Sequence, residues 1–204
     1  MEQPLAHIIC LDLARNSKIM QQLLAGMHEH GWNYTIHSAC RGWELTQRNW
    51  QDRGIAIDAH SKIGQKPGAQ GCLWSHMDLW ELCASSNRDM IILESDALCV
   101  RPWDPRITSE RLLKIAYKFQ ATRPNKRTGT WSAGSAGYLL NPQHASRLLG
   151  YVRATSALEV DKLIGTTVVD WQHGPRLFDI NTMGYSNSST KAASLKQYKT
   201  GIKY

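Results

Sequence analysis

At 204 residues, 42% of them hydrophobic, the chain is long enough to bury a core and fits one domain of generous size. Its apolar runs, such as Ile91-Ile92-Leu93, fall far short of the ~20 residues of a membrane-spanning helix, and no basic segment followed by an apolar stretch marks a cleaved leader, so a soluble, cytoplasmic protein is expected. The formal charge of +7 favours a polyanionic partner or substrate without choosing among sugar-nucleotide phosphates, acidic glycans and DNA, and a plain solvated basic surface accounts for it equally.

In chain order, residues 6–13 read as a first strand and 17–30 as an amphipathic helix, with Ile19, Met20, Leu23, Leu24 and Met27 at helical spacing and Gly31 as its stop. Residues 32–39 resemble a second strand. The stretch 41–68 reads as irregular, Trp-rich and punctuated by Gly54, Gly64 and Pro67. Helix resumes near Gly71, and over 73–84 it places Leu73, Met77, Trp80 and Ala84 on one face. Strands are expected at 115–120 and 135–141, and a helix at 142–151 opens on Pro142. This βαβ-like opening predicts an α/β fold with a central, mostly parallel sheet flanked by helices. Five widely spaced cysteines without a Cys-x-x-Cys pair read as reduced, structural thiols. Basic residues concentrate at 123–127, read as a mobile loop before Gly129, and in the polar tail with Lys191, Lys196, Lys199 and Lys203; both are expected polyanion contacts.

The most informative stretch is 89–97, where Met90 to Leu93 have the length and branching of a strand buried on both faces and run into Glu94-Ser95-Asp96. Alternation puts Glu94 and Asp96 on one side and Ser95 on the other. Two carboxylates at a strand end suit a hard divalent cation. In open α/β sheets ligands collect at the carboxyl ends of strands, where Asp96 falls. An ordinary acidic turn is the rival reading.

At four separated places the chain resembles the family 25 glycosyltransferases. Ile9-Cys10-Leu11-Asp12-Leu13-Ala14-Arg15 is similar to the family's opening strand, with Asp12 where Asn is usual. Gly71-Cys72-Leu73-Trp74-Ser75-His76 followed by Trp80-Glu81 resembles its Gly-Cys-x-x-Ser-His segment, the most specific match. Leu93-Glu94-Ser95-Asp96 resembles the Leu-Glu-Asp-Asp metal motif, with Ser95 replacing the middle acid. Gly134-Ser135-Ala136-Gly137-Tyr138 is similar to the Gly-x-x-Gly-Tyr strand, Glu159-Val160-Asp161 to the later Val-Asp, and His173-Gly174-Pro175 to a metal-binding segment of the related domains in lysyl hydroxylases.

The resemblance implies a GT-A-like domain over residues 1–185, followed by a basic polar tail over 186–204. It implies a metal-dependent, hexosyltransferase-like enzyme, inverting at the anomeric carbon, that moves a sugar from a nucleotide-sugar donor, expected to be a UDP-sugar, to an acceptor hydroxyl. The implied cation is Mn2+, with Mg2+ as the alternative, held by Asp96, Glu94 and His173; a surface turn histidine is the other reading of His173. Asp161 is the implied base, against an N-cap role. Asp12, Arg15, Ser75, His76, Glu94, Ser95, Gly134 and Gly137 fall on the implied donor side. For Ser75 and His76 the rival role is structural, for Arg15 a solvated side chain, and for the glycines tight sheet packing. The acceptor is either a lipooligosaccharide-type glycan or a modified DNA base. A non-catalytic nucleic-acid-binding module, with Trp43, Trp50, Trp74, Trp80, Trp103, Trp131 and Trp171 available for stacking, and a degenerate transferase are the alternatives.

Overall fold

The computed structural model describes residues 2–15, 17–117, 122–132 and 136–180. Gly134, Ser135 and the basic tail therefore lie outside the described residues. A seven-stranded sheet carries two helical layers, and a separate two-stranded hairpin flanks it.

The opening unit follows the sequence pattern closely. Strand β1 (Ala6–Cys10) is wholly buried, and α1 (Lys18–Glu29) starts at Ser17, whose hydroxyl accepts from the Met20 N–H as an N-cap. The helix buries Met20, Leu23 and Met27, and Gly31 at φ +68° then turns the chain into β2 (Tyr34–Ser38). The 41–68 segment is more regular than expected. It contains a 3-10 turn at Gly42–Glu44 and α2 (Gln47–Asp52), opened by a Thr46/Asn49 capping box. Helix α3 (Pro67–Ser86) begins about one turn before the expected start near Gly71, with proline in its first turn. It feeds β3 (Met90–Glu94) through Asn87 in the left-handed conformation.

Strands β4 (Ala97–Cys99), β5 (Leu112–Ala116), β8 (Gly137–Leu140) and β9 (Trp171–Ile180) complete the sheet in the order β2-β1-β3-β8-β5-β9-β4, with β6 (Thr122–Asn125) and β7 (Gly129–Ser132) forming the hairpin. The expected mostly parallel sheet is corrected to a mixed one. β1 pairs in parallel with β2 and β3, and β5 with β9, whereas β8 runs antiparallel to both its neighbours and β4 antiparallel to β9. The expected loop at 123–127 is likewise corrected. It is the turn end of the β6–β7 hairpin, anchored where the Arg127 guanidinium donates to Ser156 and its carbonyl accepts from Tyr151.

One core lies between the sheet and α3, α4 (Pro142–Ala154) and α5 (Val160–Leu163), the other between the sheet and α1. Alternation sorts the strands cleanly: Met90, Ile92, Tyr138 and Leu140 face α3, while Ile91, Leu93 and Leu139 face the α1 layer. All five cysteines are free. No helix among the described residues is long and apolar enough to cross a membrane.

The link from β3 to β4 imposes a curl. These strands stand four places apart in the sheet, about 19 Å if it were flat, yet only Ser95 and Asp96 separate them, and Glu94 to Ala97 spans at most about 11 Å. The sheet rolls over at its carboxyl edge, and Asp96 rides on the turn that closes it.

The α3 side of β1 carries a polar pair. His7 Nδ1 lies 2.7 Å from His37 Nε2, and burial, then the neighbouring imidazole, lower the His7 pKa to about 4. His37 is also lowered, chiefly by burial. The fold thus holds His7 neutral, and the unfolded chain binds more protons than the folded one between its usual value near 6.5 and about 4. Stability is complete above the unfolded value and declines as pH falls through this window, by about 2 kcal/mol. Urea midpoints measured from pH 7.5 to 4 should show the decline, and His7→Gln should flatten it. An unchanged slope in the variant would rule out His7 as its source.

Candidate functional site

The carboxyl edge of the sheet gathers the acidic residues. Glu94 ends β3 two residues beyond Ile92 and so faces α3, where its Oε1 lies 3.4 Å from His76 Nε2 and 3.9 Å from Cys72 Sγ. Cys72 and His76 are one helical turn apart on α3, which puts both on the face that meets β3. Asp96 sits beside Glu94, and Asp161, in the first turn of α5, interacts electrostatically with Asp96, Cys72 and the buried Lys114.

Asp96 is the strained member. Burial, then Glu94 and, more weakly, Asp161, raise its pKa to about 7, against a smaller opposing contribution from its own backbone N–H. Among the described residues its Oδ1 is buried without a hydrogen-bond partner. A half-buried carboxylate with one buried, unpartnered oxygen, crowded by two other acids, fits a bound cation. Burial, then Glu94, Asp161 and Asp96, push the Cys72 thiol well above its usual value, so sulfur is present there as S–H. The Cys72, His76 and Glu94 ligand atoms lie within 4.8 Å of one another and form a second group able to hold a metal. A hard cation prefers the oxygen edge at Glu94 and Asp96 to that thiol.

Asp161 does not act as an N-cap. That position belongs to Glu159, and Asp161 lies inside the helix with its Oδ1 buried. The hairpin holds α5 in place through a bridge between Trp131 and Gly165, and through Thr130, whose carbonyl accepts from Thr166 and from the Trp171 indole.

Lys114 is a functional candidate that the sequence reading missed. It lies in the apolar strand Leu112-Leu113-Lys114-Ile115-Ala116, is fully buried, and points its ammonium at the Ser132 carbonyl and over the Trp171 ring, 5.2 Å from its centroid. Burial lowers its pKa to about 8, with Asp161 opposing that shift. A single lysine in an apolar strand was the available signal, since burying it requires partners. His173 pairs in register with Lys114. Its Nε2 is 3.1 Å from the Ser132 hydroxyl and its ring packs edge-on against Tyr117 and Trp171; burial and Lys114 lower its pKa. The neighbours of His173 are thus the Lys114–Ser132 group, and those of Asp96 are Glu94 and Asp161.

The donor-side residues divide. Asp12 and Arg15 stand at the carboxyl ends of β1 and β2 in one network: Arg15 donates to Ser38 at 2.7 Å, Ser38 to Asp12 at 3.0 Å, and Arg15 Nε pairs with Asp12 at 3.2 Å. All are solvent-accessible. Ser75, by contrast, is buried, accepting from the Cys40 N–H at 2.8 Å and donating to the Gly71 carbonyl at 2.8 Å. It ties the Cys40 loop to α3, and a Cβ on Gly71 would come within 2.4 Å of the Cys40 carbonyl. Gly137 allows close strand packing, since a Cβ there would lie 2.7 Å from Ala116 and 2.8 Å from Leu93. Ser95 faces away from Glu94 and interacts with the Cys10 thiol. Two surface hollows, about 530 Å³ beside His173 and Pro175 and about 380 Å³ beside Gln51 and Ile55, are not lined by the three acids. Of the eight tryptophans, Trp43 alone is exposed; Trp32, Trp50, Trp80 and Trp171 are buried, so the side chains offered for base stacking serve mainly the core.

Residues 4–102 match the family model of glycosyltransferase family 25, described as LPS biosynthesis protein. No curated protein matches the chain. The family resemblance read from the motifs is thus carried by the stretch from β1 to the turn after β4, including Asp12, Arg15, Ser75, His76, Glu94, Ser95 and Asp96. Gly137, Asp161 and His173 lie beyond it.

Proposed function

Because residues 4–102 match the family model of glycosyltransferase family 25, we propose that the protein transfers a sugar from a UDP-sugar to an acceptor hydroxyl at the carboxyl edge of a GT-A-like sheet. The observation that carries this reading is Asp96, a half-buried carboxylate whose buried Oδ1 has no hydrogen-bond partner among the described residues, pushed up to about 7 by burial and its acidic neighbours. Asp96 and Glu94 would hold a divalent cation, Mn2+ before Mg2+; His173 is proposed to join them only if the Ser132 contact is exchanged. When bound, such a cation neutralises the charge that develops on a departing diphosphate.

The chain's own residues supply the rest. Arg15, oriented by Asp12 and Ser38, offers a guanidinium to the donor from the ends of β1 and β2. Asp161 takes the proton of the attacking hydroxyl, with Lys114 as its buried counter-charge, which fits a single displacement with inversion. The proposed acceptor is a lipopolysaccharide-type glycan, in keeping with the family's description, and the exposed Arg123 and Lys126 suit its anionic groups.

The test is UDP release from a panel of UDP-sugars with Mn2+ and a glycan acceptor, followed by NMR of the product's anomeric configuration. Metal-dependent turnover that EDTA abolishes is expected. Failure of every donor to turn over or hydrolyse would end the enzymatic reading. A modified-base acceptor would instead show as tight DNA binding that weakens steeply with salt.

A further inference from the structure

Helix α3 places Cys72, His76 and Trp80 at successive four-residue steps, so the three side chains form one stripe facing β3 and β8. His76, Trp80 and Tyr138 are all fully buried. Trp80 Nε1 lies 2.8 Å from the Tyr138 hydroxyl, that hydroxyl lies 2.7 Å from His76 Nδ1, and His76 Nε2 lies 3.4 Å from Glu94 Oε1.

The directions of these bonds follow from the donor inventory. An indole N–H only donates, so Tyr138 oxygen is the acceptor from Trp80. The phenol proton then has His76 Nδ1 as its acceptor. The imidazole proton is left on Nε2, where it donates to Glu94, and the Cys72 thiol donates to the same oxygen. Each proton of the Trp80–Tyr138–His76–Glu94 series has an acceptor. Moving the imidazole proton to Nδ1 would set two protons between Nδ1 and the phenol oxygen and strand one of them.

We propose that Trp80 and Tyr138 are positioning residues: they hold His76 as its Nε2–H tautomer, and His76 in turn fixes the direction in which the Glu94 carboxylate faces beside Asp96. The inference rests on the reading of Glu94 and Asp96 as a cation-holding edge. It also decides between two uses of the Cys72–His76–Glu94 group, because a metal bound there would need an unprotonated Nε2 and a thiolate.

The direct test is 15N-resolved NMR of the histidine rings, with His76 assigned by comparison with His76→Gln. The Nε2–H tautomer is expected in the wild type and a mixture of tautomers in Tyr138→Phe. The second readout is Mn2+ affinity in the presence of UDP, followed by the EPR signal of free Mn2+. Tyr138→Phe should weaken it about tenfold. His76→Gln, whose amide N–H can replace the Nε2–H, should bind better than His76→Ala, and adding Tyr138→Phe to His76→Gln should cost nothing more. A serial relay requires that non-additivity; a merely structural role for Tyr138 predicts additive losses.

An Nδ1–H tautomer in the wild type, or unchanged Mn2+ affinity in Tyr138→Phe, would overturn the proposal. So would stoichiometric Zn2+ binding that Cys72→Ser abolishes, which would make His76 a ligand. A wild type that binds no Mn2+ but shows the Nε2–H form, lost in Tyr138→Phe, would strike the cation reading of Glu94 and Asp96 and leave the relay standing.

Discussion

Asp96→Asn is expected to lower turnover by about a thousandfold or more, through loss of a carboxylate proposed to hold the cation, and to raise the thermal midpoint of the cation-free protein. The second half follows from sign. The folded pKa of Asp96, about 7, lies above the ordinary carboxylate value near 3.8, so folding favours the protonated form. Between those values the folded state binds more protons than the unfolded one, and this residue's contribution to stability falls as pH rises, the loss being complete above about 7. At pH 8 the ionised side chain is a net burden that asparagine, neutral and nearly isosteric, removes. The gain should be about 1–2 kcal/mol, or roughly 2–6 °C. Adding Mn2+ with UDP should stabilise the wild type through ligand linkage and leave the variant unmoved. Thermal melts in EDTA and in Mn2+/UDP at pH 8 measure both effects. A variant that melts lower in EDTA, or that still gains from Mn2+, would remove Asp96 from the metal edge.

Asp161→Ala should reduce the transfer rate by about 10²- to 10⁴-fold, the range of a lost general base, while UDP affinity in Mn2+ stays within about threefold. The division is expected because Asp161 stands on α5, after the hairpin, whereas Asp12 and Arg15, proposed for the donor, lie at the ends of β1 and β2. Alanine also deprives Lys114 of the charge that supports its protonated form. Asp161→Asn preserves the size of the side chain and separates that packing effect from proton transfer. Single-turnover rates and UDP titrations for both variants decide the matter. A rate within tenfold of the wild type would assign Asp161 a structural role with Lys114.

Periodicity carried the elements whose faces are distinct. Helix α1 was visible because Met20, Leu23 and Met27 repeat at helical spacing behind a serine cap, and β3 because four apolar residues end at a charge. Helix α2 escaped notice because a six-residue helix shows too little period; its Thr46-x-x-Asn49 capping box was the usable signal. The hairpin reads as a loop in the sequence because Arg123, Pro124 and Asn125 have low strand preference; they pair with Trp131, Thr130 and Gly129 across a turn that Gly129, at φ +73°, allows. β9 also went unread: a ten-residue strand containing Gly174 and Pro175 breaks its own pattern where its register with β5 shifts.

For the site, the sequence by itself determined the chemistry on offer: a buried strand ending in Glu94 and Asp96, the Gly71 to His76 segment, and the family those motifs resemble. These are local facts, set by alternation along one strand and by fixed spacing along one helix. Which groups meet was decided only by the tertiary structure. Rolling the sheet to join β3 to β4 through two residues set Asp96 on the closing turn, packing α3 on β8 turned His76 toward Glu94 and made Ser75 a clamp for the Cys40 loop, and strand register matched Lys114 with His173. Those partners stand 18 to 62 residues apart in the chain, as with His76 to Glu94 and to Tyr138, and no local pattern encodes a contact made by the packing of separate elements.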